Sequence, residues 1–135
     1  MKVIYTNEIP SAESLYELYD SLNCNSLNWN DFLKLSEEQL HQAIVQSWYV
    51  INAYDGEKLI GTGRAISDGV TNAYICGVVM DPIYQGQGIG IEIMKQLKSK
   101  KRECNLHLQL SCTDEMIPYY EKLGFEVFAS GMKAI

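Results

Sequence analysis

The 135-residue sequence lacks the features that mark several special classes of protein. It has no apolar run near the roughly 20 residues that cross a bilayer. Its first residues carry one positive charge without the long apolar segment of a secretory signal. Basic residues are in the minority, since Lys plus Arg number 11 and Asp plus Glu number 17, which gives a net charge of −6. Because such a chain repels nucleic-acid phosphates, we expect no binding to nucleic acid. The missing spanning run and secretory segment lead us to expect a cytoplasmic protein that does not bind membranes.

Cysteine occurs four times, but not with the spacing of a metal or redox site. The cysteines are Cys24, Cys76, Cys104 and Cys112, and no two of them form a Cys-x-x-Cys pair. This argues against a zinc knuckle and against a thioredoxin-type site. No Ser/His/Asp constellation is visible either. We therefore expect structural thiols, which behave as small hydrophobes in strand-like runs, and no metal.

The remaining composition is that of an ordinary globular protein. The chain is 47% hydrophobic and 21% charged, and its length suits one domain with one core. We therefore treat residues 1–135 as a single domain.

Local signals predict a strand and two helices in the first third of the chain. Lys2–Asn7 is rich in β-forming residues. Ser11 follows Pro10 and is the expected N-cap of the first helix, with Ser14 a less favoured alternative. Ser36-Glu-Glu-Gln39 has the pattern of a capping box and predicts a second helix that ends near Gln46.

Three strands joined by tight turns follow. They are predicted at Trp48–Tyr54, Lys58–Ser67 and Asn72–Asp81, with Asp-Gly turns at 55–56 and 68–69. Such close succession indicates an antiparallel meander. Gly61 and Gly63 inside the second strand predict a bulge or a close neighbouring backbone.

The last part of the chain alternates helices and strands. The predicted elements are a helix at Gly88–Lys101, a strand at Asn105–Cys112, a helix capped by Asp114 that ends near Leu123, a strand at Phe125–Ala129 and a short one at Met132–Ile135. The order β-α-α-β-β-β-α-β-α-β predicts an α/β fold with a mixed, mostly antiparallel sheet and helices on both faces.

Glycines Gly86, Gly88 and Gly90 stand between a strand and a helix. This arrangement predicts a cup of backbone N–H groups that binds phosphate, because the first amides of a helix have no internal partner. A tight strand-to-helix turn is the alternative, and it accounts for one or two of the glycines. A P-loop is excluded, since Gly90 is followed by Ile91 and Glu92 instead of Lys and Ser/Thr. A Rossmann fingerprint is excluded because its third glycine would fall on Ile91.

Two motifs together resemble the GNAT superfamily of N-acetyltransferases. Gln85-x-x-Gly88-x-Gly90 resembles its motif A, and the segment Tyr119-Tyr120-Glu-Lys-Leu-Gly-Phe125 resembles its motif B. The resemblance covers about residues 1–130 and is specific from about Trp48 onward.

The resemblance implies a GNAT-like fold and acetyl transfer from acetyl-CoA, without a metal, to a primary amine by direct attack in a ternary complex. Tyr120 takes the place of the family's general acid, and Thr113 replaces an asparagine that often contacts CoA. An amide near Val79 or Met80 would polarise the thioester carbonyl. The implied cofactor-binding residues are Val78, Val79, Met80, Gln85, Gly86, Gln87, Gly88, Ile89, Gly90 and Thr113.

The general base and the acceptor stay open at this point. Many family members have an acidic residue where Gly77 stands here. Asp68 is a candidate base, but Asp-Gly is also an ordinary turn pair. A water relay, or partial deprotonation of the acceptor in bulk solvent, would serve as well. The acceptor is a small amine or a peptide or protein amine. Its pocket could have aromatic walls, for which the candidates are Tyr16, Tyr19, Trp29, Trp48 and Tyr54.

Three further alternatives concern function and assembly. Because the strand carboxylate is missing, the chain could be a catalytically weak acyl-CoA-binding sensor or interaction module. An edge strand at the C-terminus could pair with a second copy in a homodimer. A run of cations after the glycines predicts a solvated helix face, or else a screen for a bound polyphosphate; it comprises Lys95, Lys98, Lys100, Lys101 and Arg102.

Overall fold

The computed structural model describes residues 2–22 and 35–135. Its elements are β1 (Val3–Thr6), α1 (Ala12–Ser21), α2 (Glu37–Val45), β2 (Tyr49–Asp55), β3 (Lys58–Ser67), β4 (Asn72–Met80), α3 (Ile89–Cys104), β5 (His107–Gln109) and α4 (Ile117–Lys122). None of the helices within these ranges has the length and apolar character that crossing a bilayer requires.

The first two helices begin at the predicted caps. The Ser11 hydroxyl accepts a hydrogen bond from the backbone N–H of Ser14 at 3.1 Å, so Ser11 and not Ser14 is the cap. Ser36 and Gln39 form both bonds of the predicted capping box. Each bond satisfies an N–H group that the helix itself leaves unpaired.

The five strands form one sheet in the order β1-β2-β3-β4-β5. The first three pairings are antiparallel and the pairing of β4 with β5 is parallel, which confirms the predicted meander and the mixed sheet. Helices α1 and α2 pack on one face, against Val50, Leu59 and Val79. Helix α3 packs on the other face. The predicted α/β fold class is confirmed.

The glycines inside β3 lie at the predicted bulges, and their close neighbours are side chains instead of a backbone. The pairing register shifts beside β3 twice, once against β2 and once against β4. A Cβ on Gly63 would lie only 2.8 Å from Cγ2 of Ile93, and one on Gly61 would lie 3.2 Å from Cδ1 of the same residue. Glycine therefore lets α3 lie close against the sheet.

A buried polar network joins β1, β2 and β3. The Thr62 hydroxyl donates to the Asn52 side-chain oxygen at 2.9 Å, and the Asn52 amide donates to the Glu8 carbonyl at 2.6 Å. Both polar side chains are fully buried. Because a buried polar group is costly without a partner, this network fixes the segment that leads from β1 into α1.

The C-terminal predictions are the least accurate. The strands predicted at Phe125–Ala129 and Met132–Ile135 are wrong, since residues 125–135, all of them described, form no strand. Val127 and Phe128 are more than half exposed. The Phe128 ring contacts His107 of β5 edge-to-face, but the segment does not pair with that strand. β-Forming residues make a strand only where a neighbour supplies hydrogen bonds and packing. The homodimer through this segment stays a prediction.

Three boundaries also differ from the predictions. Helix α3 continues to Cys104 instead of ending at Lys101. The strand predicted at Asn105–Cys112 is reduced to β5, because only its three residues pair with β4. Asp114 does not cap α4 but lies inside a 3-10 turn that precedes it.

Candidate functional site

The glycine loop leaves the first amides of α3 without a side-chain cap. β4 ends at Met80, a 3-10 turn follows at Pro82–Tyr84, and α3 begins after Gly88. Gly88 is the N-cap residue and supplies no side-chain hydrogen bond. By helix geometry the N–H groups of the first turn lack intrahelical partners, and the helix dipole adds partial positive charge there. The loop is thus suited to bind an anion, as the glycine spacing predicted.

Backbone conformation explains two of the three glycines. Gly86 and Gly88 each have a φ of +82°, which side-chain-bearing residues rarely adopt, while the space around both is open. Gly90 lies inside α3, and a Cβ there would make ordinary contacts with Met80 Cγ at 3.8 Å and Tyr119 Oη at 3.9 Å. The turn alternative therefore accounts for Gly86 and Gly88 without a ligand.

The β2–β3 hairpin holds the start of the loop through side chains that the sequence analysis missed. The Asp81 carboxylate accepts a hydrogen bond from the Ile83 N–H at 3.0 Å and pairs with Lys58 Nζ at 3.3 Å. The Tyr84 hydroxyl donates to the Asp55 carboxylate at 2.8 Å. An Asp followed by Pro after a strand is a helix-start signal that could have identified Asp81. These bonds restrict how far the loop can move relative to the sheet.

Two thirds of β4 has a free edge beside this loop. β5 pairs with β4 from Asn72 to Tyr74, and among the residues the structure describes no strand pairs with that side of β4 from Ile75 to Met80. The Asp81 N–H bonds to the Ile60 carbonyl of β3 at 2.9 Å. Since successive peptide groups alternate sides, the N–H and C=O of Met80 point to the free edge. An exposed edge of this kind is a template for an extended amide chain.

The sequence-predicted strand residues lie along this edge. Val79 is buried in the core against α1 and α2, and Val78 and Met80 are partly buried on the α3 side. The side-chain amide of Gln85 donates to the Met80 carbonyl at 3.4 Å. The structure therefore brings residues 78–80 and the loop 85–90 together at one end of β4.

A bulge interrupts β4 at Gly77. Arg64 lies opposite Cys76 and Thr62 lies opposite Val79, so Gly63 alone faces both Gly77 and Val78. Gly77 has a φ of +61°, and a Cβ on it would lie 3.0 Å from Arg64 Nε and 3.3 Å from Tyr19 Oη. An acidic residue at position 77 would need a strained backbone and would displace the arginine.

The two adjacent tyrosines of α4 point to different neighbours, as residues next to each other on a helix must. Tyr119 places its hydroxyl beside Gly90 at the start of α3. Tyr120 is half-buried, packs edge-to-face on Phe125 and lines a cleft with Leu110 and Cys112. Burial, and secondarily the neighbouring Tyr119, raises the pKa of the Tyr120 phenol. A phenol in this state is a proton donor at neutral pH.

Asp68 is bonded as a turn residue. Its carboxylate accepts hydrogen bonds from the Val70 N–H at 2.9 Å, the Thr71 N–H at 2.8 Å and the Thr71 hydroxyl at 2.6 Å. The bonds from Thr71, followed by that from Val70, lower the pKa of Asp68. Because a carboxylate with a lowered pKa is a weaker base, this geometry favours the turn role for Asp68.

Other candidate residues lie away from the glycine loop or make local contacts. Thr113 is exposed and makes no side-chain cap bond at the turn that follows it. Lys98 donates to the Leu123 carbonyl at 3.0 Å, and Lys100 pairs with Glu103 at 3.2 Å. These lysines lie in the C-terminal half of α3, which favours a structural and solvated role over screening of a polyphosphate.

The aromatic and thiol candidates are dispersed. Tyr19 is buried beside Gly77, and Trp48 lies next to Gly69 at the other end of β4. Cys76 and Cys104 are partly buried, whereas Cys112 is exposed, contrary to its expected place in a strand. Trp29 and Cys24 lie outside the described residues. Across residues 2–22 and 35–135, no group of three or more His, Cys, Asp or Glu side chains could hold a metal ion.

The fold and the loop together define a class: an α/β protein with a parallel crossover, an opened strand edge and a helix start without a side-chain cap. Comparison with known proteins agrees with this class. Residues 12–125 match the sequence profile described as "Acetyltransferase (GNAT) family". An "Uncharacterized N-acetyltransferase ycf52" of Porphyra purpurea is 33% identical over 139 residues, covering 100% of this chain and 77% of that protein. The chain belongs to the GNAT family of acetyltransferases.

Other relatives are longer than this chain. "GCN5-related N-acetyltransferase 2, chloroplastic" of Arabidopsis thaliana is 37% identical over 87 residues, or 60% of this chain and 34% of the relative. "Histone acetyltransferase TAP1" of Glycine max is 31% identical over 121 residues, or 83% and 52%. The chain thus spans about a third to a half of these two proteins. Since one of them is named as chloroplastic, cytoplasmic location stays a prediction.

Solved structures share the fold. A probable acetyltransferase from meticillin-resistant Staphylococcus aureus superposes with a TM-score of 0.79 at 24% identity, covering 99% of each chain. Glucosamine-6-phosphate N-acetyltransferase from Arabidopsis thaliana gives a TM-score of 0.74 at 14% identity, covering 100% of this chain and 99% of that one.

Proposed function

We propose that this acetyltransferase uses acetyl-CoA and transfers the acetyl group to a primary amine by direct attack in a ternary complex. The observation that carries the proposal is the free edge of β4, which runs into the glycine loop at the start of α3. One end of this path suits phosphate and the other suits an extended amide chain. CoA combines a pyrophosphate with an amide-containing arm, so its two halves match the two parts of the path.

In this proposal the amides of residues 85–90 hold the pyrophosphate, and residues 78–80 hold the pantetheine arm. The outward-facing N–H of Met80 supplies a hydrogen bond that a β-edge offers an amide carbonyl. Thr113, which is exposed, supplies at most a weak further contact. None of the residues proposed to hold CoA requires a metal.

Tyr120 is the proposed general acid. Acetyl-CoA supplies an activated acyl group, and the acceptor nitrogen forms the new C–N bond as the C–S bond breaks. The Tyr120 phenol gives its proton to the departing sulfur, and the proton lost by nitrogen passes to water. We do not assign Asp68 as the base, since its lowered pKa and turn bonds oppose that role.

A second candidate function is a CoA-binding module with weak catalysis. It is favoured by one observation, the absence of a side chain at Gly77, where a carboxylate would deprotonate the acceptor. The half-buried phenol of Tyr120 favours the enzyme, because a binding module does not need a proton donor.

The two candidates differ in thiol release. Calorimetry with CoA measures binding, and release of free thiol from acetyl-CoA in the presence of a panel of amines measures transfer. We expect binding of CoA and amine-dependent thiol release. Tight CoA binding with no release above the amine-free rate would favour the binding module, and absence of CoA binding would exclude both.

A further inference from the structure

A cleft lies at the outer edge of β5, between residues 108–112 and the C-terminal residues 125–133. Its volume is about 970 Å³. Drug-sized ligands occupy sites of roughly 300–1,000 Å³, so the cleft is larger than a small amine requires. The segments that enclose it contact each other where the Phe128 ring meets His107, with 5.0 Å between the ring centroids.

The walls of the cleft present main chain that is not paired across it. β5 is the last strand of the sheet and has β4 on one side only. Among the described residues, no backbone hydrogen bond joins 108–112 to 125–133. Two segments that enclose this volume without bonding to each other leave room for an extended chain between them. A strand edge with unpaired N–H and C=O groups is a template for such a chain.

The proposed general acid lies in the wall of this cleft. Tyr120 lines it together with Leu108, Leu110 and Phe125, and all four side chains pack against the core beneath α3. The cleft therefore has an apolar floor that includes the phenol. An acceptor bound here would present its amine on the side of β5 where the proposed reaction needs it.

The charged side chains of the cleft are mostly acidic. Asp114, Glu121 and Glu126 line it and are exposed, whereas Lys133 is the one basic residue among the described residues that line it. None of the three carboxylates forms an ion pair with a described residue. The electrostatic complement of this surface is a cationic segment.

We propose that the cleft docks the acceptor, and that the acceptor is an extended, basic peptide segment whose lysine side chain reaches Tyr120. The inference rests on the proposed function, which supplies acetyl-CoA along β4. The segment adds to the edge of β5 as a strand. Since side chains alternate along a strand, one set covers the apolar floor while the other, with its cations, faces the carboxylates.

The transfer step balances without a protein base. The lysine ammonium loses one proton to water before the attack. Its nitrogen then forms the C–N bond, the thioester C–S bond breaks, and the sulfur gains the proton of Tyr120. The nitrogen loses a second proton to water, and the Tyr120 phenolate regains one from water.

The first test compares acceptors that carry the same amine. They are a blocked pentapeptide Leu-Arg-Lys-Arg-Leu, its Leu-Gln-Lys-Gln-Leu analogue, a copy of the first with methylated backbone nitrogens at both arginines, and Nα-acetyl-lysine amide. Because the reacting group is a lysine ε-amine in each, their neutral fractions are nearly alike, and differences in kcat/KM report docking.

The arginine pentapeptide should exceed Nα-acetyl-lysine amide in kcat/KM by roughly 100-fold, the effect of a few main-chain hydrogen bonds. Methylation should remove at least about tenfold of this advantage, since it deletes two donors. Equal kcat/KM values for the three peptides and the small amine would overturn the inference and leave the proposed function intact.

Hydrogen exchange tests docking without catalysis. Addition of the arginine pentapeptide, without acetyl-CoA, should protect backbone N–H groups within residues 108–112 and 126–129 and leave those of α1 unchanged. Thiol release with small amines but no such protection would overturn the inference alone. Protection without acetylation of any amine would support the docking site and defeat the proposed function. Protection that depends on protein concentration instead of peptide would assign the cleft to a second copy of the chain and overturn the inference.

Paired variants test the charge of the cleft. Glu121→Gln combined with Glu126→Gln should lower the advantage of the arginine peptide over the glutamine peptide about fivefold at low ionic strength. Glu13→Gln combined with Glu17→Gln removes two exposed charges from α1, on the opposite face of the sheet, and should keep that advantage within about twofold. An equal loss in both pairs, or none in the first, would overturn the selection of a basic acceptor.

Discussion

At the scale of single residues, adjacent positions face different neighbours because a helix turns by about 100° per residue. Tyr119 places its hydroxyl beside Gly90, and Tyr120 packs on Phe125 in the cleft. Both residues are tyrosines, so only the directions of their side chains distinguish them. The proposed assignment of the general acid to Tyr120 therefore depends on where its side chain points as well as on its chemistry.

Replacement of Tyr120 by Phe is expected to lower kcat about 100-fold, within the usual range for loss of a general acid, and to leave the Kd for CoA nearly unchanged. Because burial raises the phenol pKa, the proton stays on Tyr120 throughout the neutral range. The wild-type rate should therefore not fall through deprotonation of this group below about pH 10. Steady-state kinetics from pH 6 to 10 measure both effects.

Tyr119→Phe is the matched control, since it removes a hydroxyl one residue away. We expect it to retain most of the turnover. An equal loss of kcat in both variants, or none in Tyr120→Phe, would contradict the assignment of the acid to Tyr120.

At the scale of elements, the connection between β4 and α3 combines a conformational requirement with a binding surface. Gly86 and Gly88 are needed for the path of the chain, since both have positive φ with open space around them. Asp81 and Tyr84 fix the start of that path to the β2–β3 hairpin. A loop held in this way would keep its amides aligned for the proposed pyrophosphate.

The two glycines at the start of α3 should respond differently to alanine. Gly88→Ala should lower the free energy of unfolding by about 1–2 kcal/mol, because a Cβ is unfavourable at positive φ. Gly90→Ala should leave it unchanged or raise it by up to about 1 kcal/mol, since the position is helical and a Cβ meets no close atom. Urea denaturation measures both, and equal destabilisation would contradict the conformational explanation.

At the scale of the whole molecule, two helical layers cover the sheet while the parallel pair β4–β5 opens at one end. Among the described residues, the core of α1 and α2 and the core of α3 form two clusters on opposite faces of the sheet. A ligand placed along the open edge would contact β4 and the start of α3 together. The proposed cofactor would therefore stabilise the folded chain as a whole.

CoA at 100 times its Kd should stabilise the protein by about 2.7 kcal/mol and raise its melting temperature. Hydrogen exchange should show that the backbone N–H of Met80 becomes protected when CoA binds. ADP, which has the pyrophosphate without the pantetheine arm, is the control and should leave Met80 unprotected. Protection by both ligands would contradict the placement of the arm on β4.

Much of the fold could be predicted because its signals are local. The caps at Ser11 and Ser36, the Asp-Gly turns and the apolar periodicity each depend on a few neighbouring residues, and all agree with the structure. The glycine loop could be predicted for the same reason, since its φ angles and free amides arise within one turn.

The remaining features depend on contacts between distant segments. Phe125–Ala129 has the composition of a strand but does not pair with β5, although Phe128 contacts it. β5 itself pairs with β4 through only three residues. The environment of Gly77 is the clearest case. The sequence shows only a missing carboxylate there, whereas packing of Arg64 from β3 and Tyr19 from α1 onto the bulge places a positive charge instead. Local chemistry thus predicts the uncapped glycine loop at the start of α3, and tertiary packing decides which charged side chain lies beside the bulge of β4.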